Sequence, residues 1–178
     1  MELLIVRHAI AFERNARRWA DDGERPLSPR GASRARRAAA GLRRLTDPPA
    51  RVLTSPLERT RQTAAILAKQ ASWPRAVESP LLLPGASPEA LLGELARLRE
   101  RRVAVVGHQP DLGRLLALCL GGNTGGGSAF ELRKMGAALV AFPGAARAGR
   151  GELLWLVPPR LLRTARPPTP KRQESGAQ

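Results

Sequence analysis

Two short apolar runs in this chain each lead to a histidine. Residues 3–6 are continuously apolar and are followed closely by His8, and the β-branched run over 103–106 leads to His108. Apolar runs of this length, bounded by polar residues, predict strands that are buried on both faces. The chain has only two histidines, and both therefore fall at predicted carboxyl ends of strands.

Further apolar patterns predict the remaining elements. Serine N-caps and prolines in a first turn mark helix starts. In this way Ser55 is predicted to cap a helix that has Pro56 in its first turn. The predicted helices cover about 28–45, 55–71, 87–100 and 110–120, and further strands are predicted over 51–54, 136–142 and 152–157, the last two as a hairpin.

The alternation of strands and helices predicts an α/β fold, a three-layer sandwich with a mainly parallel central sheet and helices on both faces. In such sheets ligands bind beyond the carboxyl ends of the strands. We therefore expect the two histidines to meet at a binding site. One domain is predicted over 1–157, and the proline and charge content of 158–178 predicts a disordered basic tail.

Composition narrows the classes of partner. The formal net charge is +15, but aromatic residues make up 3% of the chain and tyrosine is absent, so few rings are available for base stacking. We expect anionic substrates or acidic protein partners rather than specific nucleic-acid binding. Without a membrane span or a secretory signal pattern, a cytoplasmic location is expected. Cys119 lies in an apolar helical run and is interpreted as a core residue.

The candidate chemistry centres on the two histidines and on arginines near them. A single histidine after a strand is more often a hydrogen-bonded structural residue. Here Arg7 precedes His8, and Arg59 lies about one turn into the helix predicted between the two histidines. At that position Arg59 can share an anion site with the free N–H groups of the helix N-terminus.

These segments resemble a known family. RHA at 7–9, SPLERTRQT at 55–63 and GHQPDLG at 107–113 resemble the three motifs of the histidine phosphatase superfamily, also called phosphoglycerate mutase-like. The short length, the RPLSPRG segment at 25–31 and the GHQP sequence resemble its phosphohistidine phosphatase branch, the SixA-like proteins. The resemblance covers roughly residues 1–157.

The resemblance implies roles for the motif residues. His8 corresponds to the nucleophile, Arg7 and Arg59 to the phosphate clamps, and His108 to a second histidine that donates to the transferring phosphoryl group. Arg25 is a candidate substrate contact, although a loop arginine held by local turns fits its position equally well. No metal or cofactor is expected, because two histidines without a carboxylate or cysteine cluster make a poor ligand set.

One departure from the family pattern bears on the substrate. Other branches place an acid between the second and third motifs or just after the second histidine. Here the segment LLLPGASPEALL at 81–92 has no acid before Glu89, and Gln109-Pro110 follows His108, so both positions are empty unless Asp111 reaches the site. An alkoxide leaving group needs a proton as the bond breaks, whereas the conjugate acid of an imidazole leaving group has a pKa near 6.5. We therefore expect a substrate phosphorylated on histidine, carried by a signalling protein.

Two alternatives remain open from the sequence. The same site could hydrolyse small phosphate esters, or a degenerate fold could bind phosphohistidine as a signalling module without turnover. Measured turnover distinguishes the second alternative from an enzyme. Relative rates on phosphoramidates and alkyl phosphate esters distinguish the first.

Overall fold

The computed structural model describes residues 1–164, which build a six-stranded sheet with helices packed on both faces. The strands are β1 (Glu2–Arg7), β2 (Arg51–Thr54), β3 (Val77–Glu78), β4 (Arg102–Gly107), β5 (Ala137–Ala141) and β6 (Glu152–Val157). The helices are α1 (Pro29–Leu45), α2 (Glu58–Ala71), α3 (Pro88–Ala96), α4 (Asp111–Gly121) and α5 (Pro159–Thr164). Both predicted histidine-terminated strands are thus present.

The sheet has the strand order β3-β2-β4-β1-β5-β6. Strands β3, β2, β4 and β1 run parallel to one another, β5 pairs antiparallel with β1, and β5 and β6 pair antiparallel as the predicted hairpin. The predicted three-layer α/β sandwich with a mainly parallel sheet is therefore confirmed. In the β1–β4 pairing Arg7 stands opposite Gly107. This register places His8 and His108 side by side.

Strand β1 supplies apolar side chains to both faces of the sheet. Leu4 and Val6 join a cluster with α1, α2 and α5, whereas Leu3 and Ile5 join a cluster with α3 and α4. All four side chains are fully buried, as expected for a central strand covered on both sides. Cys119 of α4 is buried in the second cluster, and burial raises the pKa of its thiol to about 12, so the core interpretation of this residue is confirmed.

The predicted serine caps are confirmed at two helices and wrong at a third. Ser28 Oγ accepts from the Gly31 amide at 3.0 Å, and Ser87 Oγ accepts from the Ala90 amide at 3.1 Å. Helix α2 instead begins at Glu58, and Leu57 takes the N-cap position without a side-chain cap. Ser55 does not cap α2 because it lies three residues before the helix, where its hydroxyl is 3.0 Å from His108 Nε2.

The predicted start of the tail is also wrong in part. Residues 159–164 form α5, and Leu162 is 1% exposed against α1. Gly41 permits this packing, because a Cβ at that position would lie 1.7 Å from the Leu162 carbonyl oxygen. The tail prediction for 165–178 lies outside the described residues. Within 1–164, no helix combines the length and apolar character that crossing a membrane requires.

Candidate active site

His8 is held in one tautomer by the backbone next to it. It lies just beyond β1, 7% exposed, and its amide donates to the Gly107 carbonyl at 3.1 Å. Its ring Nδ1 lies 2.6 Å from the Ala9 carbonyl oxygen. A carbonyl oxygen only accepts, so Nδ1 carries the proton. In the neutral ring, Nε2 therefore has a free lone pair.

The surroundings of His8 also favour the neutral ring. Its pKa is lowered to about 4, chiefly by burial, and the charges of Arg59, Arg7 and Lys134 lower it further. The hydrogen bond to Ala9 acts in the opposite direction but is outweighed. A histidine with this pKa is unprotonated at neutral pH. His8 Nε2 is thus available as a nucleophile.

His108 lies beside His8 but is held by a different kind of partner. The ring centroids are 5.1 Å apart with an interplanar angle of 54°. His108 Nε2 lies 3.0 Å from Ser55 Oγ, and this hydroxyl oxygen also accepts from the Leu57 amide at 3.4 Å. A hydroxyl can donate or accept, so this contact is compatible with either tautomer of His108.

The pKa of His108 is lowered even further, to about 3. Burial is the main cause, followed by the positive charges of His8, Arg59, Arg7 and Arg25. Protonating either ring therefore disfavours protonating the other. The site is strongly electropositive without charge on its histidines, which suits the binding of an anion.

The two arginines of the site, half-buried Arg7 and buried Arg59, each have a buried Nε donor without a partner. Arg59 is 4% exposed, and its Nη1 donates to the Asp22 carbonyl at 2.9 Å. Arg7 Nη1 donates to the Leu132 carbonyl at 2.7 Å. Among the buried side-chain nitrogen and oxygen atoms of residues 1–164, those without a hydrogen-bond partner are Arg7 Nε, Arg59 Nε and Trp73 Nε1.

An unpaired buried donor costs free energy, on the order of 1–3 kcal/mol and more when it is charged. Arg7 and Arg59 each have such an unpaired donor, and these are the arginines whose charges lower the pKa values of both His8 and His108. An oxyanion between them would satisfy these donors. The geometry therefore defines a candidate anion site next to the free lone pair of His8.

Arg25 stands at the edge of this site and is engaged locally. Its Nε and Nη2 donate to the Asp22 carboxylate at 2.8 and 3.3 Å, and its Nη1 donates to the Phe12 carbonyl at 2.6 Å. Asp22 Oδ2 also lies 3.4 Å from Arg59 Nη1. The structure thus places Arg25 in a loop-held ion pair that supports Arg59. A direct contact with substrate stays a prediction.

Three residues of the site were not predicted from the sequence. Asp22 braces Arg25 and Arg59, and Ser55 contacts His108. Thr63 Oγ1 accepts from the Ala9 amide at 3.0 Å and donates to the Arg59 carbonyl at 2.7 Å. Ser55 and Thr63 are the first and last residues of the SPLERTRQT segment, so their place in a motif was an available signal. Asp22 lies in a loop segment without a periodic pattern.

Two carboxylates close to the site, those of Asp111 and Asp22, are not arranged as proton donors. Asp111 Oδ2 accepts from the Gly85 amide at 3.0 Å, and Oδ1 lies 3.4 Å from Arg114 Nη1. The pKa of Asp22 is lowered, chiefly by its hydrogen bond from Arg25, so it stays ionised. No group of three or more histidine, cysteine, aspartate or glutamate side chains suited to a metal occurs in the described part of the chain.

Comparisons with known proteins define the class. The model of the histidine phosphatase superfamily (branch 1) matches residues 3–82. An uncharacterized protein of Picosynechococcus sp. is 39% identical over 132 residues, which cover 70% of this chain and 76% of that protein. The chain belongs to the histidine phosphatase superfamily and is a phosphatase.

Solved structures confirm the phosphoglycerate mutase-like fold. The protein histidine phosphatase SixA, solved in complex with tungstate, is 27% identical, with a TM-score of 0.79 over 91% of this chain and 99% of that chain. The alpha-ribazole phosphatase of Shigella flexneri is 17% identical, with a TM-score of 0.69 over 89% of this chain and 97% of that chain. The latter similarity shows the fold alone.

Proposed function

We propose that the protein removes phosphate from phosphohistidine on a protein, through a covalent phosphohistidine intermediate on His8. The observation that carries this proposal is the free Nε2 of His8 near two arginines that act on its pKa and have buried, unpartnered Nε atoms. The SixA relative is named a protein histidine phosphatase and was solved with tungstate, a tetrahedral oxyanion like phosphate. Its name supports the same reaction class here.

The reaction proceeds in two transfers. His8 Nε2 attacks phosphorus, a new N–P bond forms, and the N–P bond to the substrate imidazole breaks. The other ring nitrogen of the substrate takes up a proton from water before this bond breaks, so the ring leaves as neutral imidazole. A water molecule then attacks the phosphorus on His8, which releases inorganic phosphate, a proton and the free His8 ring.

Arg7 and Arg59 stabilise the charge that develops during each transfer. In the transition state, charge spreads over the three equatorial oxygens of the phosphoryl group. Guanidinium groups meet such oxygens with paired donors in a fixed plane and keep their charge at working pH. Both side chains are already held in place through Leu132 and Asp22, so little reorganisation is needed.

His108 acts as a donor to a phosphoryl oxygen, and Ser55 positions it. When the Ser55 hydroxyl donates to His108 Nε2, the ring proton resides on Nδ1. That nitrogen can then donate to the anion. Ser55 is therefore a positioning residue that supports the donor tautomer of His108 when an anion is bound.

The leaving group supports a phosphohistidine substrate over an ester. The nearby carboxylates of Asp22 and Asp111 are engaged by Arg25 and by the Gly85 amide. An alkoxide lacks a proton donor among them, whereas a phosphohistidine ring protonated by solvent leaves as neutral imidazole, whose conjugate acid has a pKa near 6.5. General acid catalysis is worth about 10²- to 10⁴-fold, so esters should be slower by a factor of this order.

The test is a trapping experiment with a protein labelled on phosphohistidine. After a quench without acid, the label should reside on His8, in a bond that acid destroys and alkali spares. Cys119→Ala, which removes the thiol, should label normally. Label on Cys119 or on a serine would contradict the proposal. In parallel, kcat/KM is compared between the labelled protein and common sugar phosphates. Faster turnover of an ester would assign small phosphate esters instead, and binding without turnover would assign a signalling module.

A further inference from the structure

A wide groove begins next to His8 and leads away from it along α1 and α5. It has a volume of about 760 Å³, and Arg7 and Ala9 line its inner end. Its outer walls come from α1, α5 and the segment before β5. Its basic side chains are Arg7, Arg34, Arg133, Lys134, Arg160 and Arg163, which we call the basic groove.

The charge of the basic groove is largely uncompensated. Glu131 is the single acidic residue that lines it. Within residues 1–164, the ion pairs involve Arg25, Arg59, Arg61 and other arginines, but none of the six cations of the basic groove. Like charges therefore face each other there. The positive charge of Arg30 lowers the pKa of Arg34, and that of Arg163 lowers it to a smaller extent.

The groove and the site share Arg7 and are coupled electrostatically. The charge of Lys134, which lines the groove, contributes to the lowered pKa of His8. A ligand that occupies the basic groove would thus have one end against Arg7 and Ala9, the two residues that flank His8. The remaining length would lie against α1 and α5.

Helix α5 makes this groove a fixed feature. Leu162 is buried against α1, where Gly41 allows its backbone to approach closely. On the same short helix Arg160 and Arg163 line the groove. One apolar residue therefore anchors α5 while two cations line the groove.

We infer that the basic groove binds an acidic polypeptide segment that flanks the phosphorylated histidine of the substrate protein. This inference rests on the proposed function, because it extends the substrate from a side chain to the sequence around it. Charge complementarity argues for the occupant. A second copy of this chain, with a net charge of +15, is a poor match.

The lining favours a peptide over a nucleic acid. Ile10, Met135, Pro158 and Pro159 supply apolar surface between the cations, and the lining has no phenylalanine or tryptophan for base stacking. Single-stranded nucleic acids bind through such rings together with basic grooves. The C-terminal sequence 165–178 is an unsuitable occupant as well, because its three basic residues outnumber its single glutamate.

The first test measures binding without turnover. A fluorescein-labelled peptide of alternating glutamate and serine is titrated by anisotropy against the full chain at low salt. A glutamine-serine peptide serves as the neutral probe. Arg160→Glu/Arg163→Glu should weaken binding of the glutamate peptide by about tenfold or more, because each reversal replaces an attraction by a repulsion. Added salt should weaken binding by the unaltered protein.

The matched control is Arg99→Glu/Arg101→Glu. These exposed arginines lie before β4, at the edge of the sheet opposite the histidines, and the double variant has the same net charge as the first. It should bind the glutamate peptide within about twofold of the unaltered protein. Circular dichroism establishes that both variants fold, and Arg34→Glu provides a variant that leaves α5 intact.

A kinetic arm distinguishes the groove from the proposed reaction. Phosphohistidine is placed within the glutamate peptide and within the glutamine peptide. The ratio of their kcat/KM values should favour the glutamate peptide, and the Arg160→Glu/Arg163→Glu variant should lose this preference through KM. If neither peptide is hydrolysed but the binding difference persists, the proposed function fails and the groove stands.

Three results would overturn the inference. The two double variants could bind the glutamate peptide equally, the kinetic preference could be absent while both peptides are hydrolysed, or polyuridine could bind more tightly than the peptide and depend on the same arginines. The last result would assign a nucleic-acid surface.

Discussion

The ends of β1 and β4 offer a comparison within one site. His8 and His108 follow neighbouring parallel strands, are 7% and 4% exposed, and have pKa values lowered to about 4 and about 3. Their hydrogen-bond partners differ. His8 Nδ1 meets a backbone carbonyl, which only accepts, whereas His108 Nε2 meets the Ser55 hydroxyl, which can also donate.

This difference separates two roles for the same side chain. A carbonyl partner fixes the free lone pair of His8 on Nε2 in every neutral state. A hydroxyl partner lets the proton of His108 reside on either nitrogen, depending on what binds. The partner atom, rather than burial or charge, therefore supports the proposed roles of His8 as nucleophile and His108 as donor.

The largest expected effect breaks the comparison directly. His8→Ala should lower turnover of a phosphohistidine protein by about 10⁴-fold or more, because the covalent step is lost. His108→Ala should lower turnover by about 10²- to 10³-fold, the scale of one lost transition-state donor, and should still accumulate phosphate on His8 slowly. Rapid-quench labelling measures both. Equal losses with no adduct in either variant would contradict the assignment.

Next in size are the arginine substitutions. Arg7→Lys and Arg59→Lys should each cost about 10²- to 10³-fold in kcat, or about 2.7–4 kcal/mol, because an ammonium group lacks the paired donors of guanidinium. Arg61→Lys is the matched control on α2. Arg61 is exposed and paired with Glu58, so its substitution should change kcat by less than about twofold. Unchanged kcat in the Arg7 and Arg59 variants would indicate that net charge alone matters.

Proton titration sharpens the comparison further. With a pKa of about 4 for His8 and about 3 for His108, both rings should stay mainly neutral at pH 5. An ordinary histidine would be protonated there by a ratio of about 30 to 1. Between pH 6.5 and 4 the unfolded chain binds more protons than the folded one, so stability should fall as pH falls in this window. NMR titration of the two ring Cε1 protons, assigned with the alanine variants, measures both values. Midpoints near pH 6.5 would contradict the desolvated site.

A smaller effect is expected at Ser55. Ser55→Ala should lower kcat by about tenfold, with little change in KM, because His108 loses the hydroxyl that supports its donor tautomer. The ¹⁵N shifts of the His108 ring should change while those of His8 stay constant. Ser79→Ala is the control, since Ser79 is also buried but contacts Glu94. Unchanged His108 shifts in the Ser55 variant would remove its positioning role.

The smallest expected effect is that of a chelator. If both histidines act on a phosphoryl group, excess EDTA should leave turnover unchanged, because neighbouring arginines repel a cation and the ligand set is poor. Activity assays with and without EDTA check this. Loss of turnover, followed by recovery with one divalent metal, would contradict the proposed nucleophile and donor and would indicate a metal site.

The sequence was informative wherever a local pattern determines the structure. The apolar runs before His8 and His108 predicted their strands, and Ser28 and Ser87 predicted helix starts, because strand burial and N-caps depend on adjacent residues. The structure then brought together all four motif residues through the β1–β4 register and the start of α2.

Features that depend on distant partners were not predictable in this way. Ser55 has a sequence typical of an N-cap, but His108, far along the chain, engages its hydroxyl. The short helix α5 is held against α1 by Leu162, which packs over Gly41. From its own prolines and charges, this segment was predicted to be part of a tail. Asp22 acquires its role only when Arg25 and Arg59 converge on it.

Thr63 links the two halves of the site in a way that concerns its motions. Its Oγ1 accepts a hydrogen bond from the Ala9 amide and donates one to the Arg59 carbonyl. One side chain therefore connects the segment after β1 with the first turn of α2. Any opening that separates the nucleophile from the clamp must release the Ala9 amide to water. Hydrogen exchange at that single amide therefore reports how often the catalytic geometry comes apart.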